Sequence, residues 1–566
     1  MKKLIFLLLI ASSYISAQNP LAIPSILTGT NISLTLQEGT TVFHAGITTN
    51  TMGANGGLLG PTLILDKGDF VSFSVNNQLN DTTTMHWHGM HVSSENDGGP
   101  HTKILPGSIW SPQFNILDKA GTFWYHPHLH HQTDKHVSKG IAGMILVRDN
   151  EEVWMNLPLT YGVDEFPIIM QTKGFDAAGQ IEVHTEMDTS VMINGTINPT
   201  VNFPAQVVRL RVLNGSSQRV MDFGFTGNKP FSLIGTDGGL LSAPINLTRY
   251  RMAPGQRADI LIDLSSNLGQ NFQLLSYGSE LPNGMYGATQ PGIQSFQIIP
   301  GYTNNPLNGN DFQLLDINVV AQTTSPILTI PTTLANFTPI NENTASLTRD
   351  ITFSTAPTAV DFTGPFLINN TNFDINIIND TVQYGATEIW RVTNNTGMAH
   401  PFHIHDVQFF ILSFNGVAPP PELRGYHDVV LVPGGFSEVR FIAKFEDFVS
   451  DTVPYMYHCH MLTHEDHGMM GQFIVDGIVN VPEASAELKE IIIAPNPTKG
   501  EINISKLKNI KTIKINAIDG KLVKEIAVNN RLTLKVNMPS NKGIYFLEIF
   551  NNKNRKAHQS MSFFYF

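Results

Sequence analysis

Short runs of hydrophobic residues alternate with turn-forming residues along most of the chain. The runs are rich in Val, Ile, Phe, Thr and Leu, and they are separated by Asn-Gly, Gly-Gly and proline-containing segments. No long stretch repeats its hydrophobic positions with the period of a helix. Runs of β-branched and aromatic residues bounded by such turns are typical of sandwiches and barrels. The pattern therefore predicts an all-β protein.

Three segments of the chain resemble one another, which indicates an internal repeat. Each begins with a short apolar run, continues into a longer one and ends at an asparagine-containing turn. The segments are Pro61 to Phe73, Pro199 to Val212 and Phe373 to Val392. They predict three copies of one β-sandwich domain of about 150 residues.

Composition and charge divide the chain further. Candidate boundaries near Asp149, between Pro300 and Asn310, and at Val481 to Ala484 give the predicted divisions 1–17, 18–150, 151–305, 306–480 and 485–566. The last division has 14 basic and 6 acidic residues, a net charge of +8, which leaves −20 for the rest of a chain whose total is −12. This asymmetry predicts a separate C-terminal module, and its alternating pattern predicts a small β domain. The acidic body argues against nucleic acid or an anionic membrane as a partner.

The N-terminus predicts export. Lys2 and Lys3 precede an apolar run from Leu4 to Ala11, and Ile15-Ser16-Ala17 offers a small-residue cleavage site. This is the pattern of a secretory signal peptide at 1–17. No later stretch of the sequence is apolar for the length that a transmembrane helix needs. We therefore expect a soluble, exported mature protein with no stable membrane insertion.

Cysteine and histidine carry the candidate chemistry. The chain has one cysteine, Cys459, so it cannot form an internal disulfide framework. Four histidine clusters stand out, namely His86-Trp87-His88-Gly89, His126-Pro127-His128, His400-Pro401-Phe402-His403-Ile404-His405, and His458-Cys459-His460 followed by His464 and Met469. Because side chains alternate along a strand, a His-x-His pair places both imidazoles on one side about 6–7 Å apart. In His458-Cys459-His460 the cysteine therefore faces away from both histidines, and one strand can serve two metal sites.

The cysteine face predicts a mononuclear site. Cys459, His464 and Met469 follow a C-x4-H-x4-M spacing. One further histidine completes a His2Cys set with a weak axial thioether, as in blue copper, and His400 is the natural candidate because it is offset from the His403/His405 pair. Structural zinc would need more thiolates and no thioether.

The opposite face predicts a polynuclear copper site. Eight histidines without carboxylate ligands suit several copper ions better than one zinc ion. These are His86, His88, His126, His128, His403, His405, His458 and His460.

Together the motifs H-W-H-G, W-Y-H-P-H, H-P-F-H-I-H and H-C-H-x3-H-x4-M resemble the copper motifs of the three-domain multicopper oxidases, the laccase, cuprous-oxidase and bilirubin-oxidase branch. The resemblance covers about residues 25 to 478 and implies three cupredoxin-like Greek-key sandwiches. It implies that four copper ions are bound. On this resemblance the type 1 ligands would be His400, Cys459, His464 and Met469. The type 2 ligands would be His86 and His403, and the type 3 ligands would be His88, His126, His128, His405, His458 and His460. In such enzymes electrons from a small reducing substrate enter at type 1 and cross the Cys459 link to the trinuclear cluster, where dioxygen is reduced to water.

Dioxygen reduction consumes protons, so acids are expected near the cluster. Asp97, in Asp97-Gly98-Gly99, matches the proton-donating aspartate of the family, and Glu465 matches an acid of its proton relay. An aspartate before two glycines is also typical of a plain turn. His91, His101 and His467 are expected to support ligands by hydrogen bonds, whereas His130, His131 and His136 are expected in a solvated polar loop. The middle domain has no copper motif and is expected to space the other two.

The tail resembles a second family. Ala494-Pro495-Asn496-Pro497-Thr498-Lys499-Gly500 and Gly543-Ile544-Tyr545-Phe546-Leu547 are similar to the C-terminal sorting domain of type IX secretion. That resemblance covers about residues 488 to 566. It implies a periplasmic passage, recognition by the type IX machinery, and a final location at the cell surface or in the medium.

Substrate choice rests on weaker signals. Cuprous oxidases of the family usually carry a methionine-rich insertion, which this sequence lacks, and Thr396 stands where a carboxylate would favour a metal substrate. Phenols or aromatic amines are therefore favoured over cuprous ion, and tetrapyrroles like bilirubin are a further alternative. A copper nitrite reductase would not need the His-Cys-His bridge. A copper-free structural relative should have lost ligands, and this chain has lost none. We expect a monomer.

Overall fold

A computed structural model of the chain describes residues 19–293, 299–359, 364–477, 492–495, 500–507, 510–517, 521–529, 531–537, 543–551 and 556–565. Strands account for 49% of the residues and helices for 7%, which confirms the all-β prediction. The chain forms two compact units, Met1–Gly477 and Ile478–Phe566. The predicted signal peptide and the 481–484 linker lie outside the described residues. No helix in the described ranges is long and apolar enough to cross a membrane.

The first sandwich encloses its core between two five-stranded sheets. One sheet has the order Ile26–Thr28, Thr62–Asp66, Gly143–Arg148, Gly121–His126 and His86–His88. The other has the order Ile47–Ala54, Asn31–His44, Phe70–Asn77 and Ile109–Trp110, with Gln113–Asn115 also paired to Phe70–Asn77. Val71, Phe73 and Val75 are buried at every second position, as the two-residue period of a strand requires. The sheet that ends in His86–His88 carries the histidine motifs.

The middle sandwich has sheets of eight and six strands. The larger sheet contains Thr196–Ile197, Ser190–Ile193, Glu165–Phe175, Val207–Asn214, Arg257–Asp263, Phe231–Thr236 and Gly239–Leu247, with Ile181–Glu182 beside Glu165–Phe175. The smaller contains Asn19–Pro20, Pro199–Pro204, Asp311–Val320, Asn271–Tyr277, Met221–Phe225 and Tyr250–Met252. Because Asp311–Val320 pairs with two middle-domain strands, this sandwich continues beyond the predicted boundary at 305.

The third sandwich has two five-stranded sheets. One has the order Phe366–Ile368, Leu347–Thr355, Thr387–Asn394, Ser437–Lys444 and Phe410–Phe414. The other has the order Asp380–Gln383, Met470–Asp476, Ser450–Cys459, His400–Ile404 and Val429–Val432. In the second sheet His403 lies opposite His458, and Phe402 lies opposite Cys459. Two histidine motifs that are distant in sequence are thus neighbours.

A buried asparagine repeats in the three sandwiches and accounts for the repeat seen in the sequence. Asn77, Asn214 and Asn394 each end a strand and are fully buried. Each Oδ1 accepts the backbone N–H two residues later, and each Nδ2 donates to two backbone carbonyls. In the third copy the preceding strand is Asp380–Gln383, whereas Phe373 to Ile375, which the repeat predicted as the start, is a loop.

Helices are short and lie in connections. The α-helices in the described residues are Ser94–Asp97, Thr133–Ser138, Asn150–Val153 and Leu462–Asp466. The 3-10 helices there are Thr226–Asn228, Gly278–Glu280, Tyr302–Asn304, Glu342–Thr344 and Pro421–Leu423. Ser94–Asp97 and Leu462–Asp466 carry the two acids singled out in the sequence.

The C-terminal unit is a small β structure of its own. One sheet has the order Ile492–Ala494, Glu501–Ser505 and Thr533–Asn537. The other has the order Leu522–Ala527, Ile510–Ala517, Gly543–Asn551 and Lys556–Tyr565. Ile502, Ile513 and Leu547 belong to its buried core. This agrees with the small β domain that the alternation of the tail predicts.

Candidate metal centre

The cysteine-containing set is assembled within the third sandwich. Cys459 ends one strand, His400 begins the neighbouring strand, and His464 lies on the helix Leu462–Asp466. The Nδ1 atoms of His400 and His464 are 3.2 Å apart, and they lie 3.5 and 3.6 Å from Cys459 Sγ. Met469 is fully buried, and its backbone oxygen accepts the Cys459 N–H at 3.0 Å. One cysteine sulfur and two imidazoles therefore converge on a single point.

The imidazoles of this set are held neutral and oriented. Burial lowers the pKa of His464 to about 3 and holds the pKa of His400 well below its usual range. Thr396 Oγ1 lies 2.8 Å from His400 Nε2 and also 2.8 Å from Asn394 Oδ1. If Thr396 accepts from His400 Nε2–H and donates onward, His400 Nδ1 presents its lone pair toward Cys459. Thr396 is buried beneath His400, so its identity bears on this histidine rather than on an open substrate surface.

Three imidazoles of the larger set converge between the sandwiches. His88 Nδ1 lies 3.3 Å from His126 Nε2 and 3.2 Å from His460 Nε2. His88 and His126 come from adjacent strands of the first sandwich, whereas His460 follows a strand of the third. Burial lowers the pKa of all three rings, to about 3 for His460, so they present neutral lone pairs.

A second trio lies on the other side of the same cluster. His128 Nε2 is 3.0 Å from His458 Nε2, and His405 joins them so that the three candidate ligand atoms lie within 4.8 Å of one another. Burial lowers the pKa of His128 to about 3 and holds that of His405 well below its usual range. Here the first sandwich supplies one histidine and the third supplies two.

Unpartnered ring nitrogens mark a third position. The Nε2 atoms of His86, His403 and His405 are buried and have no hydrogen-bond partner, and these three residues also form a convergent group. The opposite nitrogens are satisfied, because His86 Nδ1 donates to the backbone oxygen of Asp97 at 2.9 Å and His403 Nδ1 donates to that of Asp428 at 2.8 Å. Buried lone pairs without partners fit a metal, which would remove the cost of leaving them unpaired.

Both predicted acids touch these histidines. Asp97 is buried, and its Oδ2 lies 2.8 Å from His405 Nδ1. Glu465 is fully buried, with its oxygens 3.3 and 3.2 Å from the Nδ1 atoms of His128 and His458. Burial alone would raise the pKa of Glu465, but the two imidazoles outweigh it and hold the pKa well below its usual range. Asp97 is therefore more than a turn residue, since its carboxylate faces the cluster.

Comparison with known proteins agrees with this geometry. Three profiles described as multicopper oxidase match residues 35–152, 170–295 and 338–477, which together are more than half of the chain. The chain belongs to the multicopper oxidase family. It is a copper-dependent oxidoreductase, as the sequence motifs predict. A profile described as a secretion system C-terminal sorting domain matches residues 492–561, which confirms the resemblance found in the tail.

Individual relatives span most of this multicopper oxidase. It is 34% identical over 456 residues to the multicopper oxidase mco of Staphylococcus haemolyticus, covering 79% of this chain and 88% of that protein. It is 31% identical over 466 residues to the cell division protein FtsP of Photorhabdus laumondii, covering 81% and 92%. A solved laccase-like multicopper oxidase from Ochrobactrum sp. is 31% identical, with a TM-score of 0.70, and is covered in full by 81% of this chain.

The middle sandwich of the oxidase does more than space the other two, although sequence reasoning gave it no other role. A side chain at Gly255 would place its Cβ 3.0 Å from the ring of His460, so the middle backbone approaches the cluster closely. The backbone oxygen of Ser217 accepts the N–H of Leu462, at the start of the helix that carries His464. No motif in the sequence marks these positions, because their importance arises from domain packing.

Some of the remaining histidines of the oxidase have a different burial from the one that the sequence predicts. His136 is fully buried in the helix Thr133–Ser138, with Nδ1 3.2 Å from Thr83 Oγ1, so its assignment to a solvated loop is wrong. His131 is exposed as expected. His91 Nδ1 hydrogen-bonds to the backbone oxygen of Asp406, next to His405, so it supports a ligand through a neighbouring residue.

Proposed function

We propose that the protein couples one-electron oxidation of a phenol or aromatic amine to the four-electron reduction of dioxygen to water. For a phenol, four substrate molecules each lose an electron and a proton, and one dioxygen takes up all of these to form two waters. The proposed copper ligands are His400, Cys459, His464 and Met469 for type 1, His86 and His403 for type 2, and His88, His126, His128, His405, His458 and His460 for the type 3 pair.

The convergence of buried imidazoles is the observation that carries the proposal. Nε2 of His86, His403 and His405 is buried and without a partner, and the cysteine set meets within 3.6 Å. A relative that had lost copper would have no reason to keep these desolvated lone pairs. Copper, when bound, supplies the one-electron chemistry that joins the two half-reactions.

The protein itself links the two ligand sets and provides carboxylates that can hold and pass protons. Cys459 is joined by peptide bonds to His458 and His460, so only a few covalent bonds separate the two ligand sets. The Asp97 carboxylate, 2.8 Å from His405 Nδ1, is placed to hold and pass a proton at Oδ2. Glu465 is placed to do the same between His128 and His458. Burial of these groups keeps bulk water from the reacting oxygen.

Phenolic or aromatic-amine substrates are favoured by two observations. The solved Ochrobactrum enzyme is described as active towards lignin model compounds and lignosulfonate. The sequence also lacks a methionine-rich insertion, which would offer soft ligands to cuprous ion. Cuprous ion and bilirubin-like tetrapyrroles are the competing substrates, and a non-enzymatic role is the competing class.

Spectroscopy with oxygen uptake tests the proposal. Copper-loaded protein should show an intense blue band, type 1 and type 2 EPR signals, and one dioxygen consumed for every four phenols oxidised. Peroxide should not accumulate. A higher kcat/KM for cuprous ion than for phenolic dyes would make cuprous ion the preferred substrate. Absence of the blue band and of both EPR signals would favour a non-enzymatic role.

We also propose domain limits and a location. Three cupredoxin domains would occupy about 18–150, 151–320 and 321–480, with the middle limit set by Asp311–Val320. The sorting domain at 485–566 would direct the protein through the type IX machinery, after periplasmic transit, to the surface or medium. Deleting 485–566 should leave the protein in the periplasm, and unchanged accumulation outside would refute the assignment.

A further inference from the structure

A buried ion pair joins the middle and third sandwiches beside the eight-histidine cluster. Arg257 begins the middle-domain strand Arg257–Asp263, and Asp428 precedes the third-domain strand Val429–Val432. Their side chains are at most 1% exposed, and Nη1 and Nη2 of Arg257 each contact one carboxylate oxygen, Nη1 at 2.7 Å. This is the bidentate geometry that gives arginine its strongest carboxylate bonds.

The site uses all five N–H groups of Arg257. Besides Asp428, the guanidinium donates to the backbone oxygens of Thr122, Gly255 and Asp237 at 2.9 Å each. These acceptors come from the first and middle sandwiches. A planar five-donor group fits this arrangement, whereas lysine has three donors and no plane. The contacts therefore fix Arg257, and through it Asp428, against three domains.

Asp428 in turn contacts one cluster histidine from the first sandwich and one from the third. Its Oδ1 lies 3.1 Å from His88 Nε2, and its backbone oxygen lies 2.8 Å from His403 Nδ1. If both nitrogens donate, His88 must present Nδ1 toward His126, and His403 must present its unpartnered Nε2. The acceptor that binds one ring nitrogen decides which other nitrogen faces a metal.

The glycine of the H-W-H-G motif leaves room for this pair. Gly89 has φ +83°, and a Cβ there would overlap Asp428 Oδ2 and Arg257 Nη2. A larger residue would therefore be strained in its backbone and would displace the carboxylate as well. The first-domain motif and the ion pair between the other two domains are thus built as one arrangement.

We propose that Arg257 is a positioning residue for the trinuclear copper site, acting through Asp428 to fix the ring orientation of His88 and His403. The inference rests on the proposed function. It gives the middle sandwich a direct part in assembling a site to which it contributes no ligand.

Arg257→Lys in the copper-loaded full chain tests this role, because it keeps the charge and loses the bidentate bond. Disturbing a partner behind a metal ligand typically weakens metal binding about 10- to 100-fold. We therefore expect type 2 and type 3 copper to be lost at about 10- to 100-fold lower chelator concentration, read as the type 2 EPR signal and copper per chain. Type 1 absorption should change by less than about twofold, since the pair does not contact that set.

Arg219→Lys is the matched control. Arg219 is also a buried middle-domain arginine with a bidentate contact to an aspartate, Asp188, but its hydrogen bonds do not include a proposed copper ligand. Its ratio of type 2 to type 1 copper should equal that of the unaltered protein. Should Arg257→Lys fold poorly, Gly89→Ala keeps both charges and should give the same selective loss.

The outcomes separate the two proposals. Selective loss of type 2 and type 3 copper in Arg257→Lys or Gly89→Ala, and not in Arg219→Lys, supports the positioning role. An unchanged copper ratio in both test variants, or equal loss of every copper type in test and control variants, overturns it. If the unaltered chain shows neither blue band nor type 2 signal, the proposed function itself fails.

Discussion

The two ligand sets differ in how many domains build them. The cysteine set lies within the third sandwich, where a strand, its neighbour and the following helix bring Cys459, His400 and His464 together. The eight-histidine set takes four ligands from the first sandwich and four from the third. The middle sandwich approaches it at Gly255 and reaches it through the bond from Arg257 to Asp428. The first set therefore takes its ligands from one domain and the second from two, so changes should separate them.

Removing the cysteine should produce the largest effect and leave the larger set intact. Cys459→Ser takes away the thiolate that gives blue copper its colour, together with the link between the ligand sets. We expect the blue band to vanish and oxidase activity to fall to background. Copper count and EPR should show type 2 signal retained.

A control sharpens this prediction. With copper removed from both, Cys459→Ser should be less stable than the unaltered protein by at most about 1–3 kcal/mol, because serine is close in size but its hydroxyl is more costly to bury than a thiol. Residual blue colour, or oxidase turnover above background, would contradict the assignment of Cys459.

The contrast between local and packed sites also explains what the sequence predicts. Ligand spacing within each motif predicted both ligand sets, and the pairing of His403 with His458 and of His126 with His86 brings these motifs together. Asp97 stood out because Asp97-Gly98-Gly99, soon after the first motif, matches the proton-donating aspartate of the family. These features are encoded within a few residues of one another.

Features that depend on packing between domains were not predictable in this way. Asp428 and Arg257 are separated by 171 residues, and neither belongs to a motif. His136 was placed in a solvated loop because its neighbours are polar, but the helix turns it inward. Asp311–Val320 follows a plausible boundary yet completes a sheet of the preceding domain. In each case a distant segment decides the environment.

Asp97→Asn tests proton delivery to the packed site. Asparagine keeps the size and can still accept from His405 Nδ1 but does not deliver a proton. Acid–base groups commonly contribute 10²- to 10⁴-fold, so we expect turnover to fall about 100-fold. The blue band and the copper content should equal those of the unaltered protein, and rapid mixing with dioxygen should show slow reoxidation. Normal copper content with normal turnover would remove Asp97 from the proton route.

Acid should destabilise the copper-free protein through its buried histidines. The pKa values of His128, His460 and His464 are lowered to about 3, below the value near 6.5 expected when unfolded. The unfolded chain therefore binds more protons between these values, and stability that is full above pH 6.5 is lost as pH falls toward 3. Well below pH 6.5, each such histidine should contribute about 1.4 kcal/mol per pH unit.

Urea unfolding at pH 7, 6 and 5 measures this dependence. His464→Gln removes one titrating group from the cysteine set, so the slope averaged over pH 7 to 5 should fall by about 1 kcal/mol per pH unit. The buried histidines of the eight-histidine set should still cause the larger part of the pH dependence of the free energy of unfolding. A free energy of unfolding that stays constant from pH 7 to 5 would show that these histidines are not held neutral by burial.

The smallest predicted effects come from two buried threonines, one behind each set. Thr396→Val removes the hydroxyl beside His400 Nε2, and Thr84→Val removes the acceptor of the His128 backbone N–H at 2.6 Å. Each loses about 1 kcal/mol of hydrogen bonding, equivalent to roughly fivefold in copper affinity. Chelator titration should show Thr396→Val weakening only type 1 copper and Thr84→Val only the type 2 and type 3 copper. Valine preserves the shape of threonine, so each variant should affect only its own set. If either variant weakened copper binding at the other set, the two sets would be coupled through packing. The contrast between a set built by one domain and a set built by two would then not hold.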